Sequence, residues 1–503
     1  MSEPFYITTA ISYPNGPPHI GHAYEAIAAD AIARFQRSQG RDVRFQTGTD
    51  EHGLKMAQAA RAEGVEPRPF ATKMSQLFQN MCDALNVSYD RFIRTSEADN
   101  YRASQAIWQA MEAKGDLYLD RYEGWYSVRD EAYYDESELV AGEGAEKLSP
   151  HGSPVEWTVE ESWFFRLSKY QQPLLDHYAA NPEFIRPESR RNEVQRFVEG
   201  GLNDLSISRT SFAWGVPVPG SPEHVMYVWL DALTNYITGL GYPDDTELWR
   251  RYWPANVHLI GKDVVRFHAV YWPAFLMSAG LALPRQVYGH GFLLSRGEKM
   301  SKSVGNVVDP MVLAERFGVD ALRYFLLREV SFGQDGSYSA EAIVARANAE
   351  LANSFGNLAQ RTLSMIYKNL DGVLPARGDA SADRELFALV EEATKRDVPE
   401  AFDRFAFSLG IEAWLKAVFA CNAYVDTQAP WALRKTDPER MAAVLGTLVV
   451  AVRELARSIA PIVPESADKL LALIDSGADG APIAQPTPLF PRLELEMEPE
   501  PAQ

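Results

Sequence analysis

Residues Tyr13 to His22, Tyr-Pro-Asn-Gly-Pro-Pro-His-Ile-Gly-His, restrict the fold of this chain more than any other stretch, because they separate a strand-like segment from a helix-like one. Phe5, Tyr6, Ile7, Thr8 and Thr9, just before them, are β-branched or aromatic, as strands prefer. After them, Ala23 to Gln39 is alanine-rich with Ile27, Ala31 and Phe35 four apart, and it stops at Gly40. That is a helix with a glycine end. His19 and His22 are therefore expected at the helix start, three apart on one face, where unpaired N–H groups and the positive end of the helix dipole favour an anion. Gly21 lets a ligand approach the backbone closely. Taken alone, the pair fits a phosphate-binding turn, a metal pair or two ordinary polar residues.

The rhythm then repeats. Asp42 to Phe45 resumes a strand pattern and Thr47-Gly48-Thr49-Asp50-Glu51-His52-Gly53 forms a second polar turn, which is the βαβ order of a parallel sheet. Ligands of such sheets gather beyond the carboxyl ends of the strands, so Asp50 and His52 are expected near His19 and His22. The plainer role for Asp50 is to cap the next helix. From Gly115 to Gly215 scattered aromatics and turn residues read as an inserted α+β segment. Sheet logic returns at Asn256 to Ile260, which ends in Gly261-Lys262-Asp263 and leads to a helix carrying Phe267, His268, Tyr271 and Trp272. Gln286 to Leu294 reads as one more strand.

That strand runs into Ser295 to Ser303, Ser-Arg-Gly-Glu-Lys-Met-Ser-Lys-Ser, where lysines and hydroxyls crowd a glycine-flanked loop. Such a loop suits a polyphosphate, or it is simply a solvated turn. Beyond Phe317 the pattern is helical, at Ala340 to Leu370, Arg384 to Lys395, Phe405 to Tyr424 and Pro438 to Ile459, so the chain is expected to end in a helical bundle. Gly477 to Gln503, Pro-rich and acidic, reads as an extended or disordered tail.

At 503 residues, 46% hydrophobic and 23% charged, the chain has the composition of a soluble globular protein of about two to four units. The start lacks the basic and apolar regions of a signal peptide, and no apolar run reaches membrane-spanning length, so a cytoplasmic enzyme with no membrane partner is expected. Cys82 and Cys421 are the two cysteines, too few for a disulfide framework or a four-cysteine zinc knuckle. The net charge of −19 requires any nucleic-acid partner to meet a local basic patch. Arg186, Arg190, Arg191 and Arg196 are interleaved with Glu188, Glu193 and Glu199, so they do not make an unambiguous one.

The His-Ile-Gly-His turn and the Lys-Met-Ser-Lys-Ser loop together resemble the paired signatures of class I aminoacyl-tRNA synthetases. The chain resembles the methionyl-tRNA synthetase family over nearly its full length. Further carriers are Ala10-Ile11-Ser12-Tyr13, Tyr227-Val228-Trp229-Leu230-Asp231-Ala232, Gly261-Lys262-Asp263, Phe267-His268, Trp272-Pro273, Asn357-Leu358-Ala359-Gln360-Arg361 and Gln428-Ala429-Pro430-Trp431. The resemblance implies an α/β fold: a Rossmann-type parallel sheet (1–115 and 216–290) split by an α+β connective insertion (116–215). A stem-contact region (291–345), an all-α anticodon-binding bundle (346–490) and an acidic Pro-rich tail (491–503) would follow.

The activity it implies is that of a methionine–tRNA ligase, which makes methionyl-adenylate and pyrophosphate from methionine and ATP. The enzyme then passes methionine to the 3′ end of initiator and elongator tRNA(Met). Catalysis would fall to His19, His22, Lys299 and Lys302, and ATP would meet His19, Gly21, His22, Gly261, Asp263 and Lys302, with Mg²⁺. Methionine would be held by Ile11, Tyr13, Asp50, Trp229, Ala232, Leu233, Tyr236, Phe267, His268 and Trp272, Asp50 taking the ammonium. Taken singly, each of these aromatics is a core residue as readily as a pocket residue, and His268 could be a satisfied core histidine. Asn357, Arg361 and Trp431 match anticodon-reading positions.

Two departures matter. The insertion lacks Cys-x-x-Cys knuckles and the tail is too short for an additional tRNA-binding domain, so no structural zinc and a monomer are expected. Three rival readings remain at this point: a small nucleotidyltransferase with the same turn, a branched-chain synthetase, and a silent tRNA-binding relative. The helical part with Trp431 counts against the first, the short insertion against the second, and retention of His19, His22, Asp50, Lys299 and Lys302 against the third.

Overall fold

The computed structural model describes residues 2–130, 132–142, 144, 146–295, 298–299 and 307–495. It forms two compact units, Met1–Ala29 with Gln39–His290 and Asp30–Ser38 with Gly291–Gln503. The first is built on β1 (Pro4–Thr9), β2 (Asp42–Thr49), β3 (Arg91–Arg94), β4 (Ile185–Arg186), β5 (Val257–Gly261) and β6 (Val287–His290). These six strands lie in the order β3-β2-β1-β5-β6-β4 and every pair is parallel. Phe5 through Thr9 are all buried, which explains a strand with no polar alternation: a sheet covered on both faces needs none. The chain order reverses at the β1/β5 boundary, where doubly wound sheets open a crevice beyond their carboxyl ends.

Helix α1 (Ile20–Ser38) follows β1. It begins three residues before the alanine run predicted, because Ile20 is fully buried and extends the apolar face. Ile20–Ala29 goes with the first unit and Asp30–Ser38 with the second.

The insertion is α+β, as expected. Antiparallel strands Leu117–Ser127, Ala132–Tyr134, Glu156–Phe165 and Leu205–Ser206 form a sheet, with helices Gln171–Ala180 and Glu188–Glu199 beside it in sequence. It is not closed on itself, however, since its Ile185–Arg186 is the edge strand β4 of the parallel sheet.

The strand expected over Gln286 to Leu294 is two strands, one in each unit. β6 stops at His290, and Leu293–Ser295 pairs instead with Gly336–Tyr338 and Glu298–Lys299. Gly291 makes the break, for a Cβ there would sit 2.2 Å from the Gln334 carbonyl oxygen. The helices of the second unit include Ala340–Arg346, which continues through a π-turned stretch Ala347–Gly356 into α4 (Asn357–Asn369). The later ones include Phe407–Gln428, Pro430–Thr436, Pro438–Ile459 and Pro464–Asp475. Fully buried Arg323 donates to Asp30 at 2.6 Å and to the Pro461 and Ile462 carbonyls at 3.0 Å, satisfying a charge that would otherwise be costly.

Of the two forms expected for the tail, extended or disordered, residues 477–495 take the extended one, tied to the helices. Ile483 is buried and donates its N–H to Gly372, Gln360 donates to the Pro486 carbonyl, and Asn348 exchanges two 2.8 Å bonds with the backbone of Leu493. The extended strap is held by one buried apolar side chain, one backbone bond and isolated polar side chains, which no compositional rule detects. Among the described residues no helix is long and apolar enough to cross a membrane.

Candidate active site

Beyond β1 the chain stays extended long enough to tie its neighbours together. Ala10 N–H donates to the Leu259 carbonyl, Ser12 N–H to Gly48, and Asp50 N–H to Ser12. The turn that follows delivers His19 and His22 to the start of α1. Gly21 N–H donates to His19 Nδ1 and His19 N–H donates to His22 Nδ1, both at 3.1 Å. Each imidazole therefore accepts at Nδ1 and carries its proton at Nε2, the donor an anion would need. The rings lie 3.8 Å apart. A Cβ on Gly21 would come within 2.8 Å of His19 Cε1, so glycine is required for this fold-back.

One turn on from His22 is Glu25, which the sequence reading did not single out. Its carboxylate accepts from His290 Nε2 at 2.8 Å and from the Gly261 backbone, and burial pushes its pKa up, with the Asp263 charge adding to that and His290 opposing it. Glu25 thus joins α1 to the end of β5, bringing the predicted nucleotide residues Gly261 and Asp263 to the His19–His22 turn. Asp263 Oδ1 lies 2.7 Å from where a Gly261 Cβ would be, so the carboxylate folds back over the bare backbone. Thr9, Ser12, His22, Glu25, Thr47 and Phe78 line a cavity of about 10 Å³ beside the turn, room for about one water.

The predicted methionine residues occupy the neighbouring region. Asp50 is buried at the end of β2, and α2 (Val228–Thr238) buries Ala232, Leu233 and Tyr236. Trp229 stacks on Phe267, centroids 3.8 Å apart and 5° from parallel. Phe267–Tyr271 is a π-turn that passes into α3 (Trp272–Ser278). Its extra residue shifts Trp272 from the helical spacing predicted, a device common at functional sites. Tyr13 and Trp229 both pack on the apolar cluster containing Leu233, Tyr236 and Trp272, and Ile11 is half-buried beyond β1.

His268 is buried with both ring nitrogens bonded, as a satisfied core histidine would be. Its Nδ1–H donates to the Val264 carbonyl at 3.0 Å, which leaves Nε2 to accept from the Tyr236 hydroxyl at 2.6 Å. Burial pushes its pKa down to about 4, against the Val264 carbonyl and the Asp263 charge, so the ring is neutral and fixes Tyr236. Trp272 Nε1–H donates to His258 Nε2 at 3.2 Å, and His258 in turn faces Thr8 Oγ1 at 2.7 Å.

His52, expected beside His19 and His22, is engaged elsewhere. It pairs through Nδ1 with Asp231 on α2 and through Nε2 with Tyr101. Asp231 and Tyr101 carried no sequence signal of their own as site residues. Of the predicted loop lysines, only the backbone of Lys299 is described, in strand Glu298–Lys299, and Lys302 lies outside the described residues.

In the second unit, Asn357 is exposed at the start of α4, and Arg361, one turn on, has its guanidinium carbon 5.5 Å from the centre of the Trp431 ring. Trp431 follows Pro430 in the first turn of Pro430–Thr436 and is 49% exposed. The three predicted anticodon residues therefore do gather, two of them in direct ring contact.

Among the described residues no group of three or more His, Cys, Asp or Glu side chains could hold a metal ion. Cys82 and Cys421 are both buried, and burial raises the Cys421 thiol to about 12, the behaviour of a core side chain.

Comparison with known proteins bears on this arrangement directly. The family model "tRNA synthetases class I (M)" matches residues 5–363, and "Anticodon binding domain of methionyl tRNA ligase" matches residues 375–487. The methionine–tRNA ligase of Mycobacterium bovis is 56% identical over 517 aligned residues, covering 99% of each chain. That of Brucella suis is 57% identical over 504, covering 97% of this chain and 98% of the relative. Among solved structures, Mycobacterium tuberculosis methionyl-tRNA synthetase in complex with methionyl-adenylate superposes with a TM-score of 0.94 at 57% identity, covering 97% of this chain and 100% of that one. The apo form gives 0.87 at 52% identity, with 99% of each chain covered.

Proposed function

This chain belongs to the class I methionyl-tRNA synthetase family, and we propose that its first unit joins methionine to AMP while its second reads the anticodon of tRNA(Met), initiator and elongator alike. The observation that carries the first part is the Glu25 bridge, which joins the helix of His19 and His22 to the Gly261–Asp263 segment, with Tyr236 close enough to feel the charges of both Glu25 and Asp50.

In the first step a methionine carboxylate oxygen attacks the α-phosphorus of ATP and the bond to pyrophosphate breaks. Charge builds on the phosphate oxygens, so the catalytic need is positioning and hydrogen-bond donation, with no protein nucleophile. His19 and His22, each carrying its proton at Nε2, supply donors to phosphate, and the missing side chain at Gly21 lets the phosphate approach closely. Gly261 and Asp263 hold the adenosine, Asp263 accepting from ribose hydroxyls. Lys299 and Lys302 are assigned to the phosphate chain on the family motif alone. Mg²⁺ enters with ATP as part of the substrate, keeping its waters and its phosphate ligands.

Asp50 accepts the methionine ammonium. The thioether lies among Ile11, Tyr13, Trp229, Ala232, Leu233, Phe267 and Trp272, where sulfur against aromatic edges gains about 0.3–1.5 kcal/mol per contact. Neutral His268 orients Tyr236 without adding a charge that would repel the ammonium. In the second step a terminal ribose hydroxyl of tRNA attacks the adenylate carbonyl and AMP leaves. Trp431 offers a stacking face to an unpaired base, and Asn357 and Arg361 offer base-edge hydrogen bonds.

The same reading includes a monomer without structural zinc that acts in the cytoplasm, and the finer division into catalytic (1–115, 216–290), connective (116–215), stem-contact (291–345), anticodon-binding (346–490) and tail (491–503) segments. Charging of tRNA transcripts tests the division of labour. A transcript with the methionine anticodon should be charged and one with an altered anticodon should not, while methionine-dependent adenylate formation is the same with either. Equal charging of both transcripts would remove anticodon reading from the second unit.

A further inference from the structure

Asp231 lies on α2 between Trp229 and Ala232 and is fully buried. Its Oδ2 accepts from His52 Nδ1–H at 2.7 Å. Oδ1, also buried, has no hydrogen-bond partner among the described residues. A buried carboxylate that uses one oxygen is expensive, and apolar side chains of similar volume would pack there without that cost. The pair is therefore a poor source of stability, and its use lies in geometry.

His52 is two residues after Asp50, in a loop held from several sides. Glu51 N–H donates to Thr95 Oγ1 at 2.8 Å, the Glu51 carboxylate accepts from Arg94 at 2.7 Å, and Trp214 Nε1–H donates to the Glu51 carbonyl. The His52 carbonyl accepts from the Tyr13 hydroxyl at 2.7 Å, and its Nε2 meets the Tyr101 hydroxyl at 2.9 Å. At the other end, Asn100 holds the Asp231 carbonyl at 3.3 Å. The His52–Asp231 bond thus links the loop that carries Asp50 to the helix that carries the aromatic and apolar wall.

We infer that His52 and Asp231 are a positioning pair for methionine, fixing the separation between Asp50 and the α2 wall so that it matches the length of one amino acid. The inference rests on the pocket reading proposed above. The four bonds between the methionine nitrogen and its sulfur cap the reach from one end to the other, and a thioether that must lie against the α2 wall uses a narrow part of that reach, so a loop free to drift from α2 would bind either end but not both. Neither residue touches the substrate; each acts through Asp50, Tyr13 and α2. ATP, held at the α1 start and the end of β5, does not depend on this link.

The test is methionine-dependent exchange of pyrophosphate into ATP by the full chain in Asp231→Asn, His52→Gln and the double variant, with separate KM values for methionine and ATP and a thermal midpoint for each. The pair predicts a methionine KM raised about tenfold or more, the size of one buried charge-assisted bond. The ATP KM should stay within about twofold, and the double variant should be no worse than the more severe single, since one link is cut in all three. If Asp231→Asn does not fold, His52→Gln carries the test. An unchanged methionine KM, or an equal rise for both substrates that tracks a lowered midpoint, would overturn the inference. Asp50→Asn run in parallel separates the two levels. Should it leave the methionine KM unchanged, the pocket reading itself fails; should it raise that KM while the pair variants do not, the positioning role alone fails.

Discussion

In the first unit Tyr236 and His268 are 1% exposed and Trp272 is fully buried, whereas in the second Trp431 is 49% exposed and Asn357 lies at the surface. On the reading proposed above, a small ligand must leave water almost entirely, so its site is assembled in advance from buried groups that hold one another, as His268 holds Tyr236 and His258 holds Trp272. An unpaired base brings its own flat surface, and on the same reading the exposed ring of Trp431 receives it. Substitution in the first kind of site disturbs folding and binding together. In the second kind it disturbs binding alone.

The largest expected effect is at Asp50. On the proposed reading Asp50→Ala removes the buried partner of an ammonium, a loss of about 3 kcal/mol or more, so kcat/KM for methionine in pyrophosphate exchange should fall at least about 100-fold. Trp431→Ala comes next. Loss of one stacked base, about 1–3 kcal/mol, should lower kcat/KM for tRNA charging about 10- to 100-fold. Pyrophosphate exchange and the thermal midpoint should not move, and a matching fall in exchange would break the comparison.

A third prediction uses pH. All nine histidines lie at or before His290, so the second unit has none. Burial lowers the pKa of His268 to about 4 and that of His258 well below its ordinary value. A histidine whose folded pKa is depressed contributes fully above its unfolded value near 6.5 and loses that contribution as pH falls towards the folded value. Between about pH 6.5 and 4, hydrogen exchange should show the first unit losing protection. His268→Gln should flatten that dependence, and an unchanged slope in this variant would show that His268 does not contribute. The smallest effect is at Asn348. Asn348→Ala frees the C-terminal strap and should cost about 1–2 kcal/mol, a few degrees in the second unit's midpoint, with exchange activity intact.

The parts that were legible in the chain are those with a local physical signature. The strand-to-helix turn at Tyr13–His22, the buried strands β1 and β5, and the helical texture after Phe317 follow from periodicity and turn chemistry alone. The identity of the pocket residues came from resemblance to a family, since nothing about Trp229 or Trp272 in isolation distinguishes pocket from core. Features set by distant partners were not legible. Gly291 divides a continuous apolar run because the Gln334 backbone approaches it. The insertion surrenders Ile185–Arg186 to a sheet whose neighbouring strand lies about a hundred residues on. Glu25, one turn from His22, was within reach of a spacing argument, but its partners His290 and Gly261 are not visible until the sheet is assembled.

The central claim is that one buried pocket selects methionine for activation. Its most direct measurement is amino-acid-dependent exchange of labelled pyrophosphate into ATP, with methionine, leucine, isoleucine, valine and cysteine in parallel and Mg²⁺ present. Strong exchange with methionine and little with the others is the predicted result. Exchange favouring leucine, isoleucine, valine or cysteine would contradict the assignment of the pocket, and no exchange with any of the five would contradict the activation chemistry itself.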